Sequence, residues 1–231
     1  MIEPKDCWMK DVCGKYLSGD HSCDSEVFCT KLFKLNELYN NSMLSSEQRK
    51  FIKIRLDSDG TDFKEFSCLK NLQNNIEDFV SSGGNLYLWS MRCGNGKTLW
   101  SIRLLQSYLN KIWYKSDLKC KALFIHVPTY LLALKNAITK QNDYVDYINE
   151  NVLEADLVVW DEVAIKNLSN YDHEHLLSMI NVRLDQGKSN IYTSNLSKED
   201  LYEKVGERLY SRIVNLSTVI ELRGSDKRGI K

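Results

Sequence analysis

The feature that most limits how this chain can fold is the segment Met91-Arg-Cys-Gly-Asn-Gly-Lys-Thr98. It stands between an apolar run, Leu86 to Ser90, and a stripe of apolar residues at helical spacing, Ile102, Leu105, Leu109 and Ile112. A strand that passes through a glycine-rich loop straight into a helix places that loop at the carboxyl edge of a sheet. Gly94 and Gly96 let the backbone turn its N–H groups inward, and the helix start adds its positive dipole end. The loop Cys93, Gly94, Asn95, Gly96 is therefore expected to cradle phosphate oxygens.

Beyond residue 81 short apolar runs alternate with amphipathic segments, the pattern of a parallel sheet covered on both faces. Strands are expected at Leu86 to Ser90, Ala122 to Val127, Leu157 to Trp160, Asn190 to Ser194 and Thr218 to Leu222. A second helical stripe runs through Leu201, Val205, Leu209 and Ile213. The fold class is α/β. With 231 residues and 43% hydrophobic content the chain can bury one ordinary core and carry a small appendage. The polar stretch Asp57-Ser-Asp-Gly-Thr-Asp62 suggests the junction. The expected division is a cysteine-rich module over 1–60 and a nucleotide-binding domain over 61–231. A further helix is expected across Phe66, Leu69, Leu72, Ile76 and Phe79.

The chemistry-bearing residues fall at strand ends. Lys97 is the type that reaches the β and γ phosphates, and the Thr98 hydroxyl suits a magnesium ligand. The run Leu157-Val-Val-Trp-Asp-Glu162 ends in two acids, with Asp161 expected in the magnesium shell and Glu162 polarising the attacking water. Two acids opening a loop are common after strands; their order behind the glycine-rich loop is what gives these their meaning. Asn195, following the fourth strand, is expected at the same sheet edge as a γ-phosphate sensor. Together these are Walker A, Walker B and sensor signatures, with Met91 where the first Walker A glycine usually stands. Trp89 and Trp160 are read as core residues.

Cys7, Cys13, Cys23 and Cys29 form a C-x5-C-x9-C-x5-C pattern with His21 nearby. Four thiolates can close a tetrahedral zinc site, although structural zinc sites generally use tighter pairs and scattered thiols are the plain alternative. The first ten residues are mixed and charged, and the most apolar stretch, Ala122 to Leu134, is broken by His126 and Pro128. A cytoplasmic, membrane-free setting with reduced thiols is therefore expected. Lys plus Arg and Asp plus Glu each number 31, so no global basic field draws in nucleic acid. The aromatic and basic stretch Lys111 to Lys121 is one local candidate for single-stranded DNA, and a solvated helix end is the simpler account.

Thr193-Ser-Asn195, then Gly206-Glu-Arg-Leu-Tyr-Ser-Arg212, then Gly224-Ser-Asp-Lys-Arg228, taken with the loop at 91–98, make the chain over roughly 85 to 231 resemble AAA+ proteins of the DnaC/DnaI/IstB kind. The resemblance implies a five-stranded sheet in the order 5-1-4-3-2 without a C-terminal lid, and binding and hydrolysis of ATP with Mg2+. It further implies Arg212 acting in trans as an arginine finger with Arg208 supporting it, and a sensor-2-like Arg228. Its functional implication is an ATP-dependent loader of the hexameric replicative helicase onto single-stranded DNA, in bacteria or their phages. Such a loader self-associates through the ATP interface and grips the helicase by an N-terminal zinc-binding module. An IstB-like transposition helper is the alternative within AAA+, and an adaptor with a structural nucleotide the alternative outside catalysis. A small-molecule kinase would need an acceptor segment and a closing lid, neither of which is found.

Overall fold

The computed structural model describes residues 7, 13–19, 29–50, 54, 56, 60–137, 140–164 and 169–226. In chain order the elements are α1 (Gly14–Leu17), α2 (Thr30–Asn41), α3 (Ser46–Arg49), α4 (Phe63–Asn74), α5 (Ile76–Ser81), β1 (Asn85–Trp89), α6 (Lys97–Ile112) and β2 (Ala122–His126). There follow α7 (Val127–Ala137), α8 (Asp143–Asn151), β3 (Leu157–Asp161), α9 (Asn170–Asp185), β4 (Ser189–Ser194), α10 (Lys198–Tyr210), a π-helical turn (Ser211–Asn215) and β5 (Thr218–Glu221). All four strand pairings are parallel and the sheet order is β2-β3-β4-β1-β5, the expected order read from its other edge.

Successive side chains of a strand point to opposite faces, and here that alternation sorts the core into two layers. Leu86 and Leu88, Ala122 and Phe124, Leu157 and Val159, with Ile191, pack with α2, α4, α5 and α6. Tyr87, Leu123 and Ile125, Val158 and Trp160, with Tyr192, face α7 to α10. Both faces are covered, which is why these strands read as nearly unbroken apolar runs. The stripe Leu201, Val205, Leu209 and Ile213 is buried as expected. Gly206 (φ 72, ψ 166) interrupts the helical backbone within it. Among the described residues no helix follows β5, and none is long and apolar enough to cross a membrane.

One local expectation changes. The helix read across Phe66 to Phe79 is broken at Asn75 (φ −109, ψ 27), whose backbone N–H and side-chain amide both donate to the Asn71 carbonyl (3.0 Å each). The stripe Leu35, Leu38, Tyr39, placed by sequence within the 1–60 module, is buried in the same core as α6 and the sheet. The Phe124 N–H donates to the Ser42 carbonyl (3.0 Å), and Tyr147 donates to the Asn41 carbonyl (2.7 Å), so this segment covers the open edge at β2. Among the described residues, Leu35, Leu38, Tyr39 and Leu44 thus pack into the same core as the sheet.

One buried cation ties the lower half together. Arg183, fully buried on α9, donates from Nε to the Asn190 side-chain oxygen (2.7 Å). Its terminal nitrogens donate to the carbonyls of Val152 (2.6 Å), Ala155 (2.7 Å) and Ser189 (2.6 Å). Burial pushes its pKa down to about 10. Removing the guanidinium strands these acceptors in the core, so Arg183→Met is expected to cost about 3 kcal/mol of stability. A urea titration would show a lower midpoint at unchanged slope; an unshifted midpoint would contradict this role.

Candidate active site

β1 and β4 are neighbours in the sheet but not in sequence, which makes the crevice above their carboxyl ends the switch point of this fold. The glycine-rich loop rises there. Ser90 extends the pairing by one residue, its N–H donating to the Ser194 carbonyl (3.1 Å). Gly94 (φ 76) and Gly96 (φ 104) occupy left-handed backbone that side chains resist. Between them Asn95 is buried, its amide donating to Ser90 Oγ (2.5 Å) and to the Leu222 carbonyl (2.8 Å), so the loop is pinned across its base. Lys97 folds back over the loop, its ammonium donating to the Arg92 carbonyl (2.9 Å) and Asn95 Oδ1 (3.3 Å). Met91 is exposed and has no left-handed backbone, so this loop leaves the strand without the usual first glycine. Cys93 is exposed.

The two acids of β3 are held very differently. Asp161 is buried, and its Oδ1 accepts from the hydroxyls of Thr98 (2.8 Å) and Thr193 (2.7 Å). Burial holds its pKa above the usual carboxylate value, the two hydroxyls offsetting only part of that rise. Glu162 takes left-handed backbone (φ 58), a strained geometry for a non-glycine residue. The Thr193 hydroxyl accepts the Glu162 N–H (3.0 Å), and the Thr193 carbonyl accepts the Val163 N–H (3.0 Å). The turn that aims the two carboxylates apart is thus fixed by β4. The Glu162 side chain is half-exposed, with Oε2 3.4 Å from His126 Nε2; His126 Nδ1 lies 2.7 Å from Thr129 Oγ1.

Lys97, Thr98, Asp161 and Glu162 thus meet at one sheet edge. Asn195 joins them, because Ser194 pairs with Trp89 at the foot of the loop. Thr193 and His126 were not singled out from sequence as site residues. Their signal is register: His126 lies directly opposite Asp161 on β2, and polar residues end each of β2, β3 and β4. Arg208 and Arg212 are exposed, and Arg212 Nε donates to Asn181 Oδ1 on α9 (2.7 Å). Arg228 lies outside the described residues.

Cys23 and His21 also lie outside the described residues. Cys7 and Cys13 are partly buried and Cys29 is exposed, its sulfur accepting the Leu32 N–H (3.4 Å) as the cap of α2. Among the described residues no group of three or more His, Cys, Asp or Glu side chains could hold a metal. In the stretch from Lys111, Lys111 donates to the Asn74 carbonyl, Lys115 pairs with Glu77 and Lys121 with Asp117 (3.0 Å).

A five-stranded parallel sheet in this order, with a glycine-rich loop after β1 and acids at the end of β3, defines the AAA+ class of P-loop fold. No family model and no curated protein matches the sequence. Among solved structures the chain is similar to the DnaC helicase loader, at 20% identity and TM-score 0.56 over 70% of this chain and 89% of that one. It is similar to DnaI at 18% identity and TM-score 0.61, over 78% of this chain and 95% of that one. AMPPCP-bound DnaA from Aquifex aeolicus aligns at 17% identity and TM-score 0.57, over 80% of this chain and 53% of that one. The fold is that of the AAA+ domains of these replication proteins.

Proposed function

We propose that this protein is an ATP-dependent loader of the replicative DNA helicase onto single-stranded DNA, of bacterial or phage origin. The observation that carries the reading is the gathering of Lys97, Thr98, Asp161, Glu162 and Asn195 at the switch point of a fold shared with DnaC and DnaI. ATP fits this site on its chemistry: two left-handed glycines flank a pinned loop, a lysine lies over it, and a sixteen-residue helix starts beneath it. Lys97 neutralises phosphate charge, Glu162 polarises the attacking water, and Asn195 bonds the γ-phosphate or that water. Thr98 and Asp161, with oxygens 2.8 Å apart, are the hard donors suited to Mg2+, which when bound would offset charge on the phosphates.

In this reading Arg212 of one copy, supported by Arg208, completes the ATP site of the next, Arg228 acts as a sensor-2-like residue, and ATP binding joins subunits while hydrolysis releases the helicase. The cysteines at 7, 13, 23 and 29, supported by their sequence pattern, hold zinc and grip the helicase. Loading in the cytoplasm follows.

Size exclusion with light scattering of the purified protein and the replicative helicase of the same genome, in ATP and in ADP, tests the proposal. A nucleotide-sensitive complex is expected, lost on removal of residues 1–28, a truncation chosen to leave α2 in the core. No complex in either nucleotide from a folded protein would instead favour a transposition helper or an adaptor.

A further inference from the structure

Asp62 occupies the N-cap position of α4, yet its carboxylate makes no bond to its own helix. Its backbone is left-handed (φ 66, ψ 18), a conformation that aspartate and asparagine adopt more readily than other side chains. The carboxylate reaches instead across more than 160 residues of sequence to the chain just beyond β5. There it accepts the N–H of Arg223 (2.8 Å to Oδ1, 3.1 Å to Oδ2) and the N–H of Gly224 (2.7 Å). An aspartate at a cap position that forgoes its own helix to bind two N–H groups distant in sequence points to a constraint imposed from elsewhere.

That constraint leads to the nucleotide loop. The carbonyls of the same short turn face the other way: Leu222 accepts from the Asn95 amide (2.8 Å) and Arg223 accepts from the Arg92 guanidinium (3.1 Å). The Arg92 carbonyl in turn holds the Lys97 ammonium (2.9 Å). The segment Leu222 to Gly224 is therefore held by Asp62 through the N–H groups of Arg223 and Gly224, and by the Trp89 carbonyl through that of Leu222 (2.9 Å), and it grips the loop through the carbonyls of Leu222 and Arg223. Leu222 and Gly224 are buried, so the turn has little room to settle elsewhere.

We infer that Asp62 is a positioning residue for the ATP site, acting through the Leu222–Gly224 turn to fix the loop that carries Asn95 and Lys97. The inference rests on the nucleotide-binding reading of that loop. It also gives the loop a mechanical link to the point where the N-terminal part of the chain enters α4.

Asp62→Gly separates positioning from folding, because glycine accepts the left-handed backbone while the carboxylate is lost. Asp62→Asn keeps one carbonyl acceptor and also tolerates this backbone. Titrating mant-ATP into each protein, with thermal midpoints measured without nucleotide, is the test. Asp62→Gly should melt below wild type, because the N–H groups of Arg223 and Gly224 lose their acceptor, and, still folded at the assay temperature, should bind mant-ATP roughly tenfold more weakly, within the range that small misplacements at a site produce. Asp62→Asn should fall between the two. Equal binding by all three proteins overturns the inference and leaves the nucleotide site standing; a wild type that binds no mant-ATP overturns both. Should Asp62→Gly fail to fold, unchanged binding by a folded Asp62→Asn overturns the inference, and weakened binding supports it.

Discussion

Glu162→Gln is expected to leave ATP bound while slowing its hydrolysis by about 10²- to 10⁴-fold, the range that a positioned general base contributes. Glutamine keeps the size and backbone of the residue, so the left-handed turn held by Thr193 need not change. The groups that would hold nucleotide and ion, Lys97, Thr98 and Asp161, do not depend on Glu162 for their hydrogen bonds. What is lost is the negative charge that polarises water. Its side chain is half-exposed, whereas Asp161 is buried between two hydroxyls, a difference that supports the proposed division of water activation to the first and ion binding to the second. Equilibrium binding of mant-ATP combined with single-turnover phosphate release measures the two effects separately. Hydrolysis at the wild-type rate would remove Glu162 from the mechanism, and loss of binding would move it into the phosphate site.

The parts of this site that could be read from sequence are those where a local signal and a tertiary role coincide. Gly94, Gly96, Lys97 and Thr98 announce themselves because the loop's chemistry is contained in one short stretch, and Asp161 and Glu162 because they end an unbroken apolar strand. The parts that were missed depend on contacts distant in sequence. Thr193 meets Asp161 and Glu162 only once β3 and β4 lie in register, and His126 meets Glu162 only across β2 and β3. Asp62 looks like an ordinary turn or cap residue until β5 delivers Arg223 and Gly224 to it. Arg183 on α9 gives no hint of burial, because a guanidinium normally belongs in solvent and the carbonyls that accept its protons come from two separate segments, 152–155 and the start of β4. The packing of α2 was illegible for the same reason: Leu35, Leu38 and Tyr39 form an apolar stripe without showing what it packs against.

Arg212→Ala is expected to retain ATP binding and to lower hydrolysis by roughly 10³- to 10⁵-fold, as arginine fingers supplied in trans do. Within its own chain Arg212 is exposed on the π-helical turn after α10 and donates to Asn181 on α9, an attachment that orients the guanidinium without burying it. The planar fork retains further N–H donors beyond that bond, suited to phosphate oxygens on another copy. The competing account is that Arg212 simply ties the turn to α9; Asn181→Ala would then reproduce the defect, whereas a finger should lose only part of its effect when its support is removed. Mixing decides between them. Glu162→Gln copies carry an intact Arg212, and Arg212→Ala copies carry an intact Glu162, so a composite interface restores every group that either protein lacks alone. Recovery of phosphate release on mixing two individually inactive proteins would establish that the arginine acts across subunits, and persistent inactivity of the mixture, with both proteins folded and binding ATP, would confine Arg212 to its own chain.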